Sequence, residues 1–364
     1  MKRIILTVTN DLTYDQRMQR ICTSLAQNGY DVLLVGRCLS TSKPLAPQAF
    51  KQKRLRCFFN RGMLFYAEYN LRLFFWLLFS RTDAFCAIDL DTILPVFFVS
   101  ALRGKKRVYD AHELFTEQIE ITSRQAIHKI WLAIEKFAVP KFKHGYTVND
   151  FIVGEFARRY NLSYDVIKNM PLYTGDIVVE KPAEKFIIYQ GAVNEGRCFE
   201  TLIPAMQQVM PRLVICGEGN FFKQVQKLVK QHNVEDKVEL KGYVLPAELK
   251  KITPTAHIAV TLFEGTGLNQ YYSLGNRFFD YIMAGVPQVC VNYPEYKTIN
   301  DVYNVALLIN NTSTETIAGA LNKLLADDVL YTLLADNCKL ARNHLQWQAE
   351  EKRLAAFYNN LFNR

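Results

Sequence analysis

The sequence predicts an α/β protein made of two doubly wound domains that face a cleft. Three observations predict this fold. Continuous apolar, β-rich runs alternate with helical stretches along the chain, which is typical of parallel sheets covered on both faces. The chain has 364 residues, more than one hydrophobic core usually holds. Hydrophobic residues make up 49% of it, a normal share for a globular protein.

The first domain is predicted over residues 1–170. Its strands, in order, are Ile4–Val8, Val32–Val35, Phe85–Ile88, Val108–Tyr109 and Tyr146–Val148. Because the chain opens directly on a strand, we expect no secretory leader and a cytoplasmic protein.

The second domain is predicted over residues 171–345, with a linker at Thr174–Glu184. Its strands, in order, are Phe186–Tyr189, Leu213–Cys216, Val238–Leu240, Ile258–Leu262, Val289–Val291 and Ala306–Ile309. The segment 346–364 is predicted to be a closing helix, because its apolar residues recur at helical spacing. These residues are Trp347, Leu354, Phe357, Tyr358 and Leu361.

The eight cysteines are scattered and show no Cys-x-x-Cys spacing. Cys86, Cys216 and Cys290 stand inside apolar runs. This pattern predicts buried free thiols in a reducing compartment, and it argues against a disulfide framework or a zinc site.

The positive charge belongs to the first half. Residues 1–170 hold 25 Lys+Arg against 15 Asp+Glu, a balance of +10, and the remainder holds 19 against 20, or −1. Basic clusters at 51–61 and 103–107 flank the apolar run Leu73–Phe79. Two interpretations stay open: a domain that rests on an anionic membrane surface, or a buried helix beside a solvated basic loop. No nucleic-acid partner is expected, since no recognised module is present.

The most informative motif is Ser273–Pro287, a polar loop that opens a short helix before a strand. Ser273 or Asn276 is predicted to cap this helix, whose free N–H groups suit a phosphate. Asp280 lies one turn after Asn276 on the same face and could reach a ribose hydroxyl. The alternative is an ordinary βα crossover.

Glycine loops follow two strands of the second domain. Gly191 and Arg197 lie in the first loop, where glycine permits close backbone approach and arginine offers a forked cation for a diphosphate. Gly217 and Glu218 belong to Cys216-Gly-Glu-Gly-Asn220, which is too short for the dinucleotide fingerprint, so an oxidoreductase is disfavoured.

Polar residues also follow three strands of the first domain. Asp110, His112 and Glu113 come directly after Val108–Tyr109, and His112 could donate a hydrogen bond to a sugar hydroxyl or phosphate. Asp89-Leu-Asp91 is interpreted as a cleft-lining loop, and no metal is expected. Three residues follow the first strand, with helix caps and a surface ion pair as the alternative interpretation: Asp11, Asp15 and Arg17.

The segment Ser273–Pro287 resembles one found in nucleotide-sugar glycosyltransferases of the GT-B fold, in the large retaining family that includes bacterial capsule and lipopolysaccharide enzymes. It departs from that segment at Gly275 for proline, Arg277 for lysine and Asp280 for glutamate. Tyr272 stands where the family has the first of two glutamates. The resemblance extends along nearly the whole chain, through the opening loop, Tyr109-Asp-Ala-His-Glu113, the glycine loops and the tryptophan-bearing last helix.

The resemblance implies two Rossmann-like domains, with the last helix returning to the first domain. It implies transfer of a sugar from a nucleoside-diphosphate sugar to a glycan or lipid-linked acceptor, with retention, in cell-surface polysaccharide synthesis. Neither a cofactor nor a metal is implied. The site residues fall into three groups. The catalytic group is His112, Arg197 and Arg277; the donor-binding group is Gly191, Gly217, Glu218, Tyr243, Asn276 and Asp280; the acceptor-side group is Asp11, Asp15, Arg17, Asp110 and Glu113.

Other functions remain open. A sugar-nucleotide epimerase shares the GT-B architecture, and Tyr272 is compatible with a catalytically degenerate subunit that only binds nucleotide sugar. The basic first domain is expected to associate with the inner face of a membrane as a peripheral protein.

Overall fold

The computed structural model of the protein describes residues 1–13, 15–175 and 179–363. The chain divides into two units, one formed by Met1–Asn169 with Trp347–Arg364 and the other by Met170–Gln346. Tyr14 of the opening loop and residues 176–178 of the predicted linker lie outside the described residues.

The first unit contains a seven-stranded parallel sheet in the order β3-β2-β1-β4-β5-β6-β7. The strands are β1 Arg3–Asp11, β2 Asp31–Cys38, β3 Lys51–Arg56, β4 Ala84–Ile88, β5 Lys106–Ala111, β6 His144–Thr147 and β7 Asp165–Val166. The helices are α1 Gln16–Gln27, α2 Gly62–Phe79, α3 Ile93–Leu102, α4 Ile119–Thr122, α5 Gln125–Ala138, α6 Asp150–Tyr160 and, from the end of the chain, α15 Trp347–Asn363.

The second unit contains a six-stranded parallel sheet in the order β10-β9-β8-β11-β12-β13. The strands are β8 Phe186–Gln190, β9 Arg212–Cys216, β10 Val238–Gly242, β11 Ile258–Thr261, β12 Gln288–Val291 and β13 Ala306–Ile309. The helices are α7 Phe199–Ala205, α8 Phe222–Gln231, α9 Pro246–Ile252, α10 Leu268–Tyr271, α11 Asn276–Ala284, α12 Pro294–Tyr303, α13 Thr314–Ala326 and α14 Asp328–Ala341.

Both sheets reverse their strand order once. The reversal falls between β1 and β4 in the first unit and between β8 and β11 in the second. In open α/β sheets, the loops at the carboxyl ends of such neighbouring strands diverge and leave a crevice for ligands. The sheet topology therefore locates a candidate site in each unit.

The basic segment at 51–56 is a strand, and its interpretation as a loop was wrong. Its sequence, Lys-Gln-Lys-Arg-Leu-Arg, forms the sheet edge and pairs only with β2 among the described strands. An edge strand keeps one side in water, so it can be built from charged residues that also discourage pairing with other chains.

The last helix completes the core of the first unit. Trp347, Leu354, Tyr358 and Leu361 are buried in one cluster with residues of β1, α1 and β2. The Trp347 indole nitrogen donates a hydrogen bond of 2.8 Å to the Ser24 hydroxyl of α1.

The predicted thiols Cys86, Cys216 and Cys290 are buried and free. Among the described residues, no helix has the length and apolar character needed to cross a membrane.

Candidate functional site

The glycine loops of the second unit are in direct backbone contact. A Cβ atom placed on Gly217 would lie 1.8 Å from the carbonyl oxygen of Gly191, and one on Gly219 would lie 2.3 Å from that of Val193. Side chains at these glycines would therefore push the ends of β8 and β9 apart. Glycine also leaves the backbone N–H groups open to a ligand.

Arg277, on the first turn of α11, is buried beside this loop. Its guanidinium carbon lies 4.2 Å from the centroid of the Tyr189 ring, and Nη2 would lie 3.4 Å from a Cβ on Gly191. Nη1 is buried and has no hydrogen-bond partner among the described residues. A buried N–H donor without a partner costs free energy, and an anionic ligand would satisfy it.

Arg197 lies beside the same aromatic ring as Arg277. The ring is that of Phe263, at the end of β11, and the guanidinium carbons of Arg197 and Arg277 lie 4.4 and 5.4 Å from its centroid. The amide of Glu264 donates a 3.1 Å hydrogen bond to the Gly196 carbonyl, which ties the end of β11 to the first glycine loop. The fold therefore brings the two predicted cations together at the strand-order reversal.

Glu264 lies in this candidate site and was not predicted from the sequence. Burial, followed by the neighbouring charges of Glu200 and Glu195, raises the pKa of Glu264 above its ordinary value. The sequence does contain a signal that could have identified Glu264, because this residue begins a Glu-Gly-x-Gly turn after a strand.

The start of α11 is capped differently from the prediction, which named Ser273 or Asn276. The cap residue is Gly275, without a side-chain hydrogen bond, and its N–H donates to the Tyr296 hydroxyl at 2.8 Å. A Cβ on Gly275 would lie 2.9 Å from the Phe263 ring. The prediction was wrong because tertiary packing against two aromatic rings decides this position. Proline, which the resembled segment carries here, has no N–H to donate.

Asp280 is tied to the end of β8. It accepts a 2.9 Å hydrogen bond from the Gln190 side-chain amide, and the Gln190 oxygen accepts one of 2.5 Å from the Thr253 hydroxyl. Gln190 immediately precedes Gly191, so Asp280 faces the glycine loop. Gln190 is therefore a further site residue that sequence reasoning missed.

The remaining residues predicted to bind the donor lie at the same edge of the sheet. Glu218 follows β9 and is exposed, and its carboxylate would lie 3.2 Å from a Cβ on Gly242, at the end of β10. Tyr243 is 54% exposed. Asn276 opens α11, whereas Tyr272 follows α10 and packs against the Tyr271 ring at 5.1 Å.

In the first unit, His112 lies between two carboxylates. Its Nδ1 is 2.9 Å from Oδ2 of Asp89, and its Nε2 is 3.5 Å from Oε1 of Glu113. Burial lowers the pKa of His112, but the Asp89 carboxylate raises it more strongly, and the pKa reaches about 9. The raised pKa favours the protonated form of His112 at neutral pH, in which both ring nitrogens carry a proton.

Asp89 holds His112 from an unusual backbone conformation. It follows β4 with φ 53° and ψ 179°, a backbone conformation that residues other than glycine rarely adopt. Nearby, Asp91 accepts a hydrogen bond from the Thr9 hydroxyl. Burial and the charge of Asp89 raise the pKa of Asp91 to about 7. Sequence reasoning noticed the Asp89–Asp91 pair but did not connect it to His112.

The residues predicted for the acceptor side all have partners inside the first unit. Arg17 forms a buried, two-pronged ion pair with Asp110 at 2.6 and 2.7 Å. Asp15 caps α1 by accepting from the Met18 amide at 3.0 Å. Two further contacts are Asp11 with Arg54 at 2.9 Å and Glu113 with Gln118 at 2.7 Å. For Asp11, Asp15 and Arg17, these contacts match the alternative interpretation of helix caps and an ion pair, although the Arg17 pair is buried and not on the surface.

The chain is similar to known proteins in part of its sequence and in its fold. Residues 176–341 match the family model described as glycosyl transferases group 1. No curated protein sequence matches the chain.

The fold is similar to that of sucrose-phosphate synthase from Thermosynechococcus elongatus, with a TM-score of 0.83, 17% identity and complete coverage of both chains. It is also similar to Anabaena HepE in complex with UDP and glucose, with a TM-score of 0.77, 13% identity, and coverage of 99% of this chain and 100% of that one. A third similar structure is a variant of S. aureus TarM in complex with Fondaparinux, alpha-GlcNAc-glycerol and UDP, with a TM-score of 0.73, 12% identity and complete coverage of both chains. These similarities confirm the predicted fold class, that of the GT-B glycosyltransferases.

Proposed function

We propose that this chain, whose residues 176–341 match the glycosyl transferases group 1 model, moves a sugar from a nucleoside-diphosphate sugar to a glycan or lipid-linked acceptor. The observation that carries the proposal is the buried Arg277 guanidinium, with Nη1 unpartnered among the described residues, beside Gly191. A buried cation next to open backbone at a strand-order reversal suits a diphosphate.

The leaving group is a nucleoside diphosphate, so the site must stabilise negative charge that develops on it. Arg197 and Arg277 supply two guanidinium groups, and the start of α11 supplies N–H groups. Because aromatic rings already hold both arginines, little reorganisation is needed when the charge develops. In this proposal these groups carry the charge without a metal ion.

His112 acts in this proposal as a hydrogen-bond donor to the donor sugar or its phosphate. An imidazolium cannot accept the acceptor's proton, so His112 is not the general base. The departing phosphate would take that proton on the same face of the sugar, which gives retention of configuration.

Uridine diphosphate sugars are the first donors to test. HepE has been seen with UDP-glucose and TarM with UDP. Two further similar structures are described as lipopolysaccharide glycosyltransferases, and we place the reaction in cell-surface polysaccharide synthesis. It would occur in the cytoplasm, at the inner face of a membrane.

Calorimetry with uridine, guanosine and adenosine diphosphates tests the donor site. We expect one of them to bind, and Arg277→Gln to weaken it by about 100-fold, since a buried charged hydrogen bond contributes on the order of 1.5–3 kcal/mol. Arg277→Lys should retain most of the affinity. The matched control is Arg212→Gln, which removes an exposed arginine paired with Glu239 in the same unit.

Turnover is then measured with the matching nucleotide sugar and lipid-linked acceptors, with and without a chelator. An α-linked product from an α-linked donor, formed equally with chelator, supports the proposal. A changed sugar on intact nucleotide would identify an epimerase, and binding without turnover a degenerate subunit. The absence of any nucleotide binding would refute the proposed function.

A further inference from the structure

Helix α2 is apolar on two opposite faces. Its inner face is buried in the first unit and carries Phe65, Tyr69, Leu73 and Leu77. Its outer face carries Leu64, Leu71, Phe75 and Phe79, which are 53–82% exposed and which we call the α2 stripe. At 100° per residue the two sets lie on opposite sides of the helix. Glu68 lies on the same outer side, where its carboxylate accepts from the Phe58 and Phe59 amides and pairs with Arg72.

The apolar surface continues beyond both ends of the stripe. Phe58, before the helix, is 84% exposed, and Leu102, at the end of α3, is 70% exposed. The guanidinium of Arg72 lies 5.1 Å from the Phe58 ring centroid. Arg103 donates to the carbonyls of Leu77 and Ser80, which brings the end of α3 to the end of α2.

Two basic concavities lie next to the stripe, one along α2 and one at the end of that helix. One, of about 420 Å³, is lined by Lys53, Arg54 and Arg56 of β3 and by Arg72, Phe75 and Trp76 of α2. The other, of about 240 Å³, is lined by Arg3, Arg81, Arg103 and Lys105, with Thr82 and Asp83. Exposed aromatic residues bordered by arginine and lysine match the acyl and phosphate layers of a bilayer.

We propose that the α2 stripe and its two flanking basic concavities form a docking surface for anionic phospholipid headgroups. The surface rests on the membrane location in the proposed function and deepens it, because it names the residues that would hold the protein at the membrane. Charge complementarity selects the membrane over a second copy of the chain: residues 1–170 carry 25 basic against 15 acidic residues, or +10. Two copies joined through this face would bring like charges together.

Co-sedimentation of the full chain with vesicles tests the surface. We expect binding to vesicles of equal phosphatidylglycerol and phosphatidylcholine at low salt, and much weaker binding in 0.5 M salt or to pure phosphatidylcholine, since salt screens the attraction. Lys53→Gln with Arg56→Gln should weaken binding by about tenfold or more, because each basic residue near the surface contributes on the order of 1 kcal/mol. Phe75→Ser with Phe79→Ser should weaken it by a similar factor.

Matched controls come from the second unit. Val302→Ser with Val329→Ser removes two exposed apolar residues, 72% and 81% accessible, and Lys250→Gln with Lys251→Gln removes two exposed charges. Both controls should bind vesicles like the unaltered protein, and all four variants should bind nucleoside diphosphate normally.

Three results would overturn the docking surface. The unaltered chain could stay in the supernatant with anionic vesicles at low salt, or the stripe variant could bind as well as its control. A concentration-dependent dimer that the stripe variant abolishes would make the face a self-interface. Failure of nucleotide binding would refute the proposed reaction alone and leave the vesicle result standing.

Discussion

Asp89 combines an unfavourable backbone with a useful side chain. Its φ of 53° and ψ of 179° cost on the order of 1–3 kcal/mol for a residue other than glycine. Its carboxylate lies 2.9 Å from Nδ1 of His112. Glycine would meet the backbone requirement at lower cost, so the aspartate is explained by what its carboxylate does to His112: it orients the ring and keeps it protonated.

We predict that Asp89→Gly and Asp89→Asn both lower the pKa of His112 and reduce turnover, but differ in stability. The glycine variant relieves the backbone strain at residue 89 and should be more stable than the asparagine variant by about 1–3 kcal/mol. Denaturant unfolding gives the stability difference, and an NMR titration of the His112 ring gives its pKa. If His112 still titrates near its original pKa in Asp89→Asn, Asp89 is not its positioning residue.

The pH dependence of the reaction should follow His112. Its pKa is about 9 because the effect of Asp89 outweighs burial and the positive Arg17, with a smaller contribution from Glu113. The donor form is lost as pH rises, so turnover should fall through about pH 9. The folded-state pKa lies above the ordinary value of about 6.5. The charged His112 therefore stabilises the fold fully below that pH, and this stabilisation is lost as pH rises towards 9.

His112→Ala should lower turnover by about 10²–10⁴-fold and flatten the alkaline fall in stability, while nucleoside-diphosphate affinity stays nearly unchanged. The pH–rate profile measures turnover, denaturant unfolding across pH measures stability, and calorimetry measures affinity. His128→Ala, in α5, is the control histidine. Equal turnover in His112→Ala would leave His112 with a structural role only.

Asp280 is predicted to hold the ribose of the donor. Asp280→Asn should weaken a nucleoside diphosphate by about tenfold or more, since a charge-assisted hydrogen bond contributes roughly 1.5–3 kcal/mol. A 2′,3′-dideoxy diphosphate should not respond to the substitution. Asp280 also accepts a hydrogen bond from the Gln190 side chain, so a shift of Gln190 has to be controlled for. The control is Thr253→Val, which removes the hydrogen bond from the Thr253 hydroxyl to the Gln190 side chain. Equal loss for both ligands would contradict the ribose contact.

For individual residues, the sequence predicts the types of residue in the candidate site better than it predicts their hydrogen-bond and ion-pair partners. His112, Arg197 and Arg277 follow from local motifs. The Asp89–His112 pair depends on the register of β4 against β5, where Ile88 lies beside Asp110. That register is a property of the assembled sheet, and no local pattern in the sequence specifies it.

Among the elements, strands that carry a continuous apolar run are predictable and strands without one are not. All six strands of the second unit, including its edge strands β10 and β13, were predicted from apolar runs, which are typical of parallel sheets covered by helices on both faces. β3 and β7 were missed. β3 is rich in lysine and arginine, and β7 has only two residues, so neither carries the apolar signal.

The contact between the two glycine loops gives a prediction for these elements. Gly217→Ala should destabilise the second unit by several kcal/mol, of the order seen for overpacking or strain, and should abolish donor binding, because its Cβ would lie 1.8 Å from the Gly191 carbonyl oxygen. Gly319→Ala, in α13, is the matched control, since its Cβ would meet nothing within 4 Å. The control should gain about 0.5–1 kcal/mol. Thermal unfolding and calorimetry with nucleotide would show both, and unchanged binding in Gly217→Ala would contradict the loop contact.

For the whole molecule, the first unit is assembled from two distant parts of the chain. The sequence anticipated the closing helix from its apolar spacing. It did not reveal the polar contacts that fix this helix, such as Tyr30 to Asn359 at 2.6 Å and Lys168 to Glu350 at 2.8 Å. These contacts join residues far apart in the sequence, so spacing alone cannot find them.

Trp347→Ala should destabilise the first unit by about 3–5 kcal/mol, the usual cost of truncating a buried aromatic side chain. It removes a fully packed ring and the hydrogen bond to Ser24. Leu340→Ala, at a 66% exposed position of α14, is the control and should be within about 0.5 kcal/mol of the original protein. Urea unfolding of the full chain measures both. A Trp347→Ala protein as stable as the control would mean that α15 is not needed by the first unit.

The return of α15 to the first unit has a consequence for biosynthesis. A ribosome makes β1 to β7 first, yet the Trp347, Leu354 and Tyr358 side chains that cover their core emerge only after all of residues 170–346. Until then the nascent first unit exposes an apolar groove, while the second unit already has every residue it requires. The half that is translated first is therefore the half that matures last, and a message cut short before α15 would yield a chain that chaperones and proteases recognise by that groove.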